Sequence, residues 1–308
     1  MSTLLVTHPS SLDHLTPAGH PERPDRLRAI ERALAGEPFS ALTRAQAPAA
    51  ALETIALCHP LEYIELIRDA TPKQGTIHLD ADTSMSPGSF EAAIRAVGGA
   101  VHAIDEVVAK RVSNAFCAMR PPGHHTETAR PMGFCLFNSA AIAARHAQHH
   151  GLERVALVDF DVHHGNGSQE IFWSDPKVMY CSTHEMPLYP GTGASSERGA
   201  HNNIVNAPLR AGDDGSRFRE AFETTILPRL REFRPDLIVI SAGFDAHMRD
   251  PLANLNLVEA DFAWVTGKIM DVADASAHGR IVSVLEGGYD LAGLAQSTAA
   301  HVTALMQG

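Results

Sequence analysis

The sequence predicts an α/β fold in which helices cover both faces of a parallel sheet. Two observations carry this prediction. Short, continuous apolar runs alternate with longer segments of helical periodicity, and polar motifs come directly after several of the runs. A strand that is buried on both faces is expected to be apolar throughout, as strands of parallel sheets are. Because sites in open α/β sheets form beyond the carboxyl ends of the strands, we expect the polar motifs to meet at one rim of the sheet.

Each strand is predicted from an apolar run that turn-forming residues bound. The runs lie at residues 4–6, 114–119, 155–158, 178–182, 236–240 and 280–285. The run at 155–158 opens the stretch around which the chain is organised, because it continues into Asp-Phe-Asp-Val-His-His-Gly-Asn-Gly. The run at 178–182 is expected to lead through Thr183-His184 into a long loop at 185–203.

Each helix is predicted from apolar residues at intervals of three and four, or from a segment rich in Ala. We expect Asp25 to act as the N-cap of the first helix. The predicted helices lie at residues 26–34, 49–58, 60–67, 90–109, 168–173, 218–233 and 259–275, in the Ala-rich segment that ends at residue 149, and at the C-terminus.

The composition is that of a globular protein, with 308 residues of which 44% are hydrophobic and 20% are charged. No repeat or low-complexity linker divides the chain, so we expect a single domain over residues 1–308. The formal net charge of −11 argues against a nucleic-acid-binding surface and mildly favours basic substrates. No apolar run approaches the ~20 residues that a membrane helix needs, so no membrane partner is expected.

The cysteines and the N-terminal segment favour a cytoplasmic location. Cys58, Cys117, Cys135 and Cys181 are dispersed, and three of them lie in or beside apolar runs, as expected of buried, reduced thiols. The first fifteen residues lack a basic region followed by a long apolar one, so we expect no secretory signal peptide.

Three candidate metal ligands, Asp159, Asp161 and His163, follow the organising run at intervals of two. Residues two apart on a strand share a face, so we expect these side chains to point the same way, although an acidic surface loop is the alternative. Asp245 is the best candidate for a ligand from a neighbouring strand end, with a helix N-cap as its alternative role. Asp161, His163 and Asp245 with open positions describe a catalytic centre for zinc or ferrous iron.

The adjacent His124 and His125 are candidates for moving protons to and from a metal-bound water. Each needs a partner that fixes its tautomer, and Asp159 and Asn166 are available. Tyr289, on a Gly-Gly turn, can donate to a developing oxyanion; its alternative role is that of a core tyrosine. Together these groups could hydrolyse an amide or ester. No Ser lies in a G-x-S-x-G elbow and no Cys has an evident base, so we expect no acyl-enzyme.

Six motifs carry a resemblance to a known family: GHPERPDR, RPPGHH, GFCLFN, DFDVHHGNG, SAGFDAHMRDPL and LEGGYD. With these motifs in this order, the chain resembles the histone deacetylase superfamily over nearly its whole length. It is most similar to class II and bacterial amidohydrolase members. The resemblance implies a three-layer α/β/α, arginase-like fold with a central parallel sheet of about eight strands.

The resemblance implies roles for the catalytic residues. His125 falls on the principal general base and acid, and His124 on its electrostatic partner. Asp159 and Asn166 fall on the residues that hold these histidines, and the Asn is similar to the class II pattern. Tyr289 falls on the tyrosine that stabilises the transition state.

The resemblance implies metal sites as well. Asp161, His163 and Asp245 fall on the zinc ligands. Arginases share the fold but need further acidic ligands where this chain has Gly165 and His247, so a mononuclear site is implied and a ureohydrolase is not expected. A structural potassium ion is also implied, held in part by backbone carbonyls of Asp159, Asp161, His163, Ser182 and Thr183.

Four residues fall on positions that contact the substrate. Gly133, Phe134 and Tyr189 are similar to the walls of the family's acyl-lysine channel, and Tyr189 replaces the Phe of many relatives. Leu252 falls on the gatekeeper position, where polyamine-selective vertebrate members carry Glu. Leu252 therefore weakens a polyamine function without excluding it, because bacterial polyamine deacetylases do not all use that Glu.

Three functions follow as expectations. The first is a zinc-dependent hydrolase that removes acetyl or another short acyl group from a lysine-like amine, and the second is an acetylpolyamine amidohydrolase. The third is an inactive protein that binds acyl-lysine. The expected partner is an acylated amine, and self-association into a homo-oligomer stays open.

Overall fold

The computed structural model describes residues 2–307 and is built on one large sheet. The strands are β1 (Thr3–Thr7), β2 (Thr43–Gln46), β3 (Ile77–His78), β4 (Ser84–Met85), β5 (Asn114–Cys117), β6 (Val155–Asp159), β7 (Val178–Glu185), β8 (Ile204–Leu209), β9 (Leu237–Ala242) and β10 (Ile281–Leu285). Eight of them form a sheet in the order β2-β1-β5-β10-β9-β6-β7-β8, with every neighbouring pair parallel. The remaining two, β3 and β4, pair with each other in antiparallel fashion.

Helices precede or follow most strands of the large sheet. They are α1 (Asp25–Ala33), α2 (Leu52–Ile55), α3 (Leu61–Asp69), α4 (Ser89–Val108), α5 (Ser139–His149), α6 (Asn166–Phe172), α7 (Gly215–Ala221), α8 (Leu227–Phe233), α9 (Glu259–Val272) and α10 (Leu291–Gln307). A π-helical segment, Phe222–Ile226, joins α7 to α8, so the predicted helix at 218–233 is essentially continuous. A similar segment, Ala273–Ala277, extends α9.

The sheet separates two hydrophobic cores, which makes the fold three-layered. Along β6 the side chains alternate, so Ala156 and Val158 enter one core while Val155 and Leu157 enter the other. Helices α1 and α7 to α10 cover the first core, and α2 to α5 cover the second. Burial on both faces explains why the central strands are apolar throughout, and it confirms the predicted α/β class and parallel sheet.

The strand order explains how distant motifs meet. Strands β5, β10, β9 and β6 are neighbours, and all run in the same direction. Their carboxyl ends therefore deliver four motifs to one rim: RPPGHH, LEGGYD, SAGFDAH and DFDVHHGNG. Two-sided burial stabilises this arrangement, because each strand supplies apolar area to both cores.

Two strands of the sheet, β2 and β8, were not predicted from the sequence, and both lie at its edges. The sequence of β2 is Thr-Arg-Ala-Gln, and its side chains are mostly exposed. Strand β8 carries Pro208, which cannot donate a ladder hydrogen bond and is tolerated at an edge. Strand β2 is mostly exposed, and β8 is largely buried but has its apolar run interrupted by Asn206 and Pro208, so the pattern used for the central strands detects neither.

Three local predictions were wrong. The segment 49–58 is helical only over Leu52–Ile55. Asp25 is the first residue of α1 and not its N-cap, which is Pro24. Strand β7 extends to Glu185, so Thr183 and His184 lie within the strand instead of following it; pairing with the undetected β8 extends the strand this far.

The structure can be compared with the expectations about the cysteines and about membrane-spanning helices. All four cysteines are buried and free, in agreement with the prediction of thiols without a disulfide framework. Among residues 2–307, no helix combines the length and the hydropathy that crossing a bilayer requires.

Candidate active site

A narrow cavity opens at the carboxyl rim of the sheet. Its volume is about 210 Å³. The residues that line it come from several loops: Asp82, His125, Gly133, Phe134, His163, Leu188, Tyr189, Leu252 and Tyr289. Most of the predicted site residues therefore lie on this cavity or directly beneath it.

Asp161, His163 and Asp245 converge beneath the cavity. The Nδ1 atom of His163 lies 3.2 Å from Asp161 Oδ1 and 3.1 Å from Asp245 Oδ2. All three residues are buried, and one candidate ligand atom from each lies within 4.8 Å of the others. Two carboxylate oxygens and one imidazole nitrogen at these distances form a donor set that fits a divalent metal ion.

Backbone groups orient the two carboxylates of this cluster. The amide of Gly287 donates to Asp161 Oδ2 at 2.8 Å, and that of Val162 donates to Asp245 Oδ1 at 2.8 Å. A Cβ atom at Gly243 would collide with the Asp161 carboxylate, so only glycine fits there. Such outer contacts fix the direction in which a ligand presents its free oxygen.

The two buried carboxylates of the Asp161, His163 and Asp245 cluster need a positive charge nearby to balance them. Burial raises the pKa of Asp245, and the neighbouring Asp161 raises it further. Burial acts the same way on Asp161, but His124 and His163 outweigh it and hold its pKa below the usual range. Although burial opposes protonation of His163, its hydrogen bonds to the two carboxylates raise its pKa to about 10. A protonated His163 or a divalent cation would supply the charge that balances the buried carboxylates.

Asp159, Asp161 and His163 lie on one side of the chain, as strand alternation predicts. Although β6 ends at Asp159, the two-residue period continues into the loop, because Phe160 and Val162 enter the same core as Ala156 and Val158. The Asp159 carboxylate faces His124, with Oδ2 lying 3.0 Å from His124 Nδ1, and it accepts the hydroxyl hydrogen of Tyr180 at 3.0 Å. Burial opposes protonation of His124, but Asp159 and Asp161 raise its pKa well above its usual value.

His125 has a neutral partner. Its Nδ1 lies 2.9 Å from Asn166 Oδ1, while the Asn166 amide group donates to Glu127 Oε1 at 2.9 Å. With the amide oriented in this way, neutral His125 carries its hydrogen on Nδ1, which leaves Nε2 able to accept a proton. Burial lowers the pKa of His125 well below its usual value, and the adjacent His124 and His163 lower it further.

Tyr289 lies on the loop after β10 and is nearly buried. Its backbone amide donates to Asp250 Oδ2 at 2.7 Å, and its ring packs edge-on against Phe134, with centroids 5.9 Å apart. Burial raises the pKa of its hydroxyl well above the usual value, and the Asp245 carboxylate adds to the effect. The hydroxyl therefore stays protonated and can act as a hydrogen-bond donor toward the cavity.

Comparison with known proteins decides the family. The model of the histone deacetylase domain matches residues 20–305. A probable deacetylase of Archaeoglobus fulgidus is 37% identical over 100% of this chain and 87% of its own length. A histone deacetylase-like amidohydrolase of Pseudomonas aeruginosa is 39% identical over 88% of this chain and 73% of its own. The chain belongs to the histone deacetylase family.

The structural comparison agrees. The crystal structure of the HDA15 HD domain matches with a TM-score of 0.94 and 35% identity, over 99% of this chain and 88% of that one. The arginase-like fold implied by the sequence motifs is thereby confirmed. Membership of the histone deacetylase family also supports the coarse class of the protein, a deacetylating hydrolase.

Hydrogen bonds hold the backbone of two residues in the cavity wall of this family member, Gly133 and Phe134. The amide of Gly133 donates to Asp82 Oδ1 at 3.1 Å, and that of Phe134 donates to Thr83 Oγ1 at 3.2 Å. Both wall residues have left-handed backbones, with φ of 57° and 69°. A Cβ at Gly133 would collide with the His125 ring, so glycine is required there. Tyr189 forms the more open wall, with its ring centroid 5.2 Å from that of His125.

One supporting residue that the sequence analysis missed is Glu286. It is buried, its Oε2 accepts the backbone hydrogens of Gly123 at 2.7 Å and His124 at 3.2 Å, and its Oε1 accepts from Ser241 at 3.0 Å. Burial raises its pKa to about 7. A carboxylate that directly follows an apolar strand, as in Leu-Glu-Gly-Gly-Tyr-Asp, was the available signal.

A buried cluster of charged residues was also missed. Arg120 pairs with both carboxylate oxygens of Glu22, and Arg26 pairs with Glu22 at 3.1 Å. Arg26 also donates to the carbonyl of Gly288 at 2.6 Å, and its guanidinium lies 5.0 Å from the centroid of the Tyr289 ring. These residues lie in GHPERPDR and RPPGHH, and the pairing of Arg120 with Glu22 joins positions 98 residues apart, which no local pattern indicates.

Among the residues implied for potassium, Asp159, Ser182 and Thr183 lie on β6 and β7, and Asp161 and His163 lie in the loop that follows β6. Asp159 is opposite Ser182 in the ladder, and the Ser182 hydroxyl bonds to His184 Nδ1 at 2.8 Å. The Thr183 hydroxyl is buried, and the structure gives it no hydrogen-bond partner. Side-chain and backbone oxygens of this strand pair are thus close together, and potassium binding stays a prediction.

Proposed function

We propose that this protein is a zinc-dependent deacylase that hydrolyses acetyl or another short acyl group from a lysine-like amine. The observation that carries the proposal is the arrangement of Asp161, His163 and Asp245 directly below a cavity that His125 and Tyr289 also line. Metal ligands, a proton acceptor and an oxyanion donor within one narrow space are what amide hydrolysis requires.

The cavity suits a slender, uncharged acyl-amine stem. Phe134 and Tyr189 supply aromatic faces, and Leu188 and Leu252 supply aliphatic surface. Such walls stabilise a methylene chain through contact without requiring polar partners. The acyl group at the tip of this chain would lie next to the buried cluster, while the rest of the substrate stays outside.

A divalent metal held by Asp161, His163 and Asp245 would supply Lewis-acid chemistry, polarising the acyl carbonyl and acidifying a water molecule. We assign to neutral His125 the removal of a proton from the attacking water through its Nε2. The Tyr289 hydroxyl donates to the carbonyl oxygen as negative charge develops there. A proton then returns from His125 to the amine as the C–N bond breaks, which gives a carboxylate and a free amine. Cationic His124 stabilises the increase in negative charge.

A single metal ion is part of the proposal. His247, which occupies a position where arginases need an acidic ligand, has its Nε2 3.4 Å from Glu259 Oε1, and its Nδ1 accepts from the Arg249 amide at 3.2 Å. It is therefore engaged away from the cluster. The Asp-His-Asp donor set suits zinc, with ferrous iron as the alternative; activity after reconstitution with each metal distinguishes them.

An acetylpolyamine amidohydrolase is the second candidate, and one observation favours it. Asp82 lines the cavity and is half-buried, which places a carboxylate near an incoming cationic amine. Leu252, also on the cavity, adds no second charge. The two candidates differ in whether the substrate carries extra ammonium groups beyond the acylated one.

The test is hydrolysis of a panel by the zinc-loaded protein: an acetyl-lysine peptide, longer acyl-lysine peptides, acetylputrescine and acetylspermidine, each with and without a hydroxamate chelator. Chelator-sensitive turnover with kcat/KM higher for the peptides supports the first proposal, and the reverse order supports the second. Binding without turnover of any substrate would contradict both and support the inactive binder. A cytoplasmic location, a potassium ion and self-association accompany the proposal as untested parts.

A further inference from the structure

We propose that Asp105, His146 and His150 form a second metal site, here called the α4–α5 site, that binds Zn²⁺ from solvent. Asp105 belongs to α4, His146 belongs to α5, and His150 is the C-cap residue of α5. Both imidazole Nε2 atoms lie 2.8 Å from Asp105 Oδ1, and they lie 3.2 Å from each other. The inference is independent of the proposed deacylase activity.

The distances between these atoms match those of a zinc coordination shell. With bonds of about 2.0–2.1 Å, two ligands of a tetrahedral zinc ion are separated by about 3.3 Å. The three observed separations of 2.8, 2.8 and 3.2 Å need only small side-chain shifts to reach this value. Histidines at positions i and i+4 on one helical face are a recurrent zinc-binding pair.

Simple hydrogen bonding explains the cluster less well. If each imidazole donated its Nε2 hydrogen to Asp105, the two donor nitrogens would face each other at 3.2 Å. Two donors at this separation have no favourable interaction with each other. A cation removes the conflict, because both nitrogens become electron-pair donors to the same ion and the carboxylate balances its charge.

The helix ends favour a cation at this place. Asp105 lies in the last turn of α4, and His146 and His150 lie at the end of α5. The carbonyl ends of two helices, of 20 and 11 residues, therefore meet near the cluster, and each carries partial negative charge. The Asp105 carboxylate adds a full negative charge at a position where it is unfavourable without a compensating cation.

The site is preformed and open to solvent. Helices α4 and α5 pack against each other, and both bury small residues such as Ala103 and Ala147 in the same core, which fixes the distance between the ligands. The side chains of Asp105 and His150 are 40% and 38% exposed, so an ion can enter from solvent and keep water at its fourth position. Binding would link two helices of one layer.

The α4–α5 site lies far from the catalytic cavity. Helix α5 ends just before β6 begins, so the cluster is near the amino-terminal edge of the sheet, whereas the cavity lies at the carboxyl edge. A zinc ion there cannot touch the substrate. We therefore assign it a stabilising role.

The experiment is equilibrium dialysis of the intact protein against buffered Zn²⁺, followed by metal analysis, on the wild type, Asp105→Asn and His146→Ala/His150→Ala. Both variants should bind one zinc ion fewer per chain than the wild type at the same free zinc, with affinity for that ion at least about tenfold weaker. The zinc-induced rise in Tm should be smaller by about 2–4 °C, while Tm in chelator stays unchanged.

The matched control is His149→Ala, since His149 is an exposed histidine next to the cluster but outside it. It should bind as much zinc as the wild type. Equal zinc content in the wild type and the Asp105→Asn variant would overturn the proposal. An equal loss in His149→Ala would do so too, because it would indicate loose binding by a histidine-rich surface. Asp105→Asn preserves side-chain shape and keeps the test valid if the double variant folds poorly.

Discussion

At the scale of single residues, two adjacent histidines differ because their partners differ. His124 faces the buried Asp159 carboxylate, whereas His125 faces the uncharged Asn166 amide. A carboxylate stabilises an imidazolium and a neutral amide does so far less, so the pKa values of the two rings move apart. One ring is thereby kept cationic and the other is kept available as a base.

The first prediction concerns the pH dependence of kcat/KM. Because the pKa of His125 lies well below its ordinary value of 6.5, the base form is present at neutral pH and activity falls only at distinctly acidic pH. In Asn166→Asp, a carboxylate would stabilise protonated His125 and raise its pKa. The acid limb of the kcat/KM profile should move upward by at least about one pH unit. An unshifted acid limb in a correctly folded variant would argue that His125 is not the base.

The second prediction concerns the role of oxyanion donor that we propose for Tyr289. Tyr289→Phe removes one hydroxyl and keeps the ring contact with Phe134, so kcat should fall about 100-fold to 1,000-fold with bound zinc unchanged. Tyr189→Phe is the matched control, since Tyr189 is 38% exposed on the cavity wall and should affect KM more than kcat. Near-wild-type kcat in Tyr289→Phe would remove Tyr289 from the mechanism.

The residues of the site were predictable only in part. Their positions after strands indicated a shared rim, and the motifs indicated which side chains to consider. The shared side of Asp159, Asp161 and His163 was predictable from their spacing, because Phe160 and Val162 continue the two-residue period of β6, but the partner of each side chain was not. Contacts such as Glu286 with the His124 amide join positions 162 residues apart, and no local pattern encodes them.

At the scale of elements, α1 supports the loop between β10 and α10. Arg26 reaches from α1 to the carbonyl of Gly288 and stacks on the Tyr289 ring, while its charge is balanced by Glu22. All of these groups are buried. The loop that carries Tyr289, the proposed oxyanion donor, is therefore held by Arg26, which lies 262 positions before Gly288.

The third prediction follows from this contact. Arg26→Met leaves Glu22 with only Arg120 as a cationic partner and frees the Gly288 carbonyl, so the free energy of unfolding should fall by about 3–5 kcal/mol. Activity measured below the new melting transition should also fall, because Tyr289 loses its support. Arg28→Ala is the control. Arg28 forms an exposed ion pair with Asp25, and its loss should change the unfolding free energy by less than about 0.5 kcal/mol. Equal effects of the two changes, seen in denaturant titrations, would contradict the proposed support.

Central elements were easier to predict than peripheral ones for a physical reason. Strands β5, β6, β9 and β10 contact both cores, so burial dictates their sequence. Strand β2 and the short helix α2 are stabilised mainly by tertiary contacts, and their sequences carry little periodicity. The spacing of apolar residues in a sequence reflects which side chains are buried. An element that buries few side chains, or that is only one turn long, therefore has too few apolar residues to be predicted from their spacing.

At the scale of the whole molecule, different sites lie at the two ends of the parallel strands. The carboxyl ends of four neighbouring strands gather the proposed catalytic groups, and the proposed α4–α5 site lies between two helix ends at the opposite end of the strands. Both sites combine histidine with carboxylate. The Asp161, His163 and Asp245 cluster is fully buried beneath a cavity, whereas the other cluster is partly exposed, so the two are expected to differ in affinity and in rate of metal exchange.

The decisive measurement is turnover of an acetyl-lysine peptide by protein stripped of metal and then given increasing zinc. Turnover should be negligible without metal and should recover linearly to a plateau that is reached when the Asp161, His163 and Asp245 site is filled. The Asp105→Asn variant should reach the same plateau, since the α4–α5 site plays no part in catalysis. Turnover by the metal-free protein at the rate of the zinc-loaded one would rule out the proposed metal-dependent deacylase.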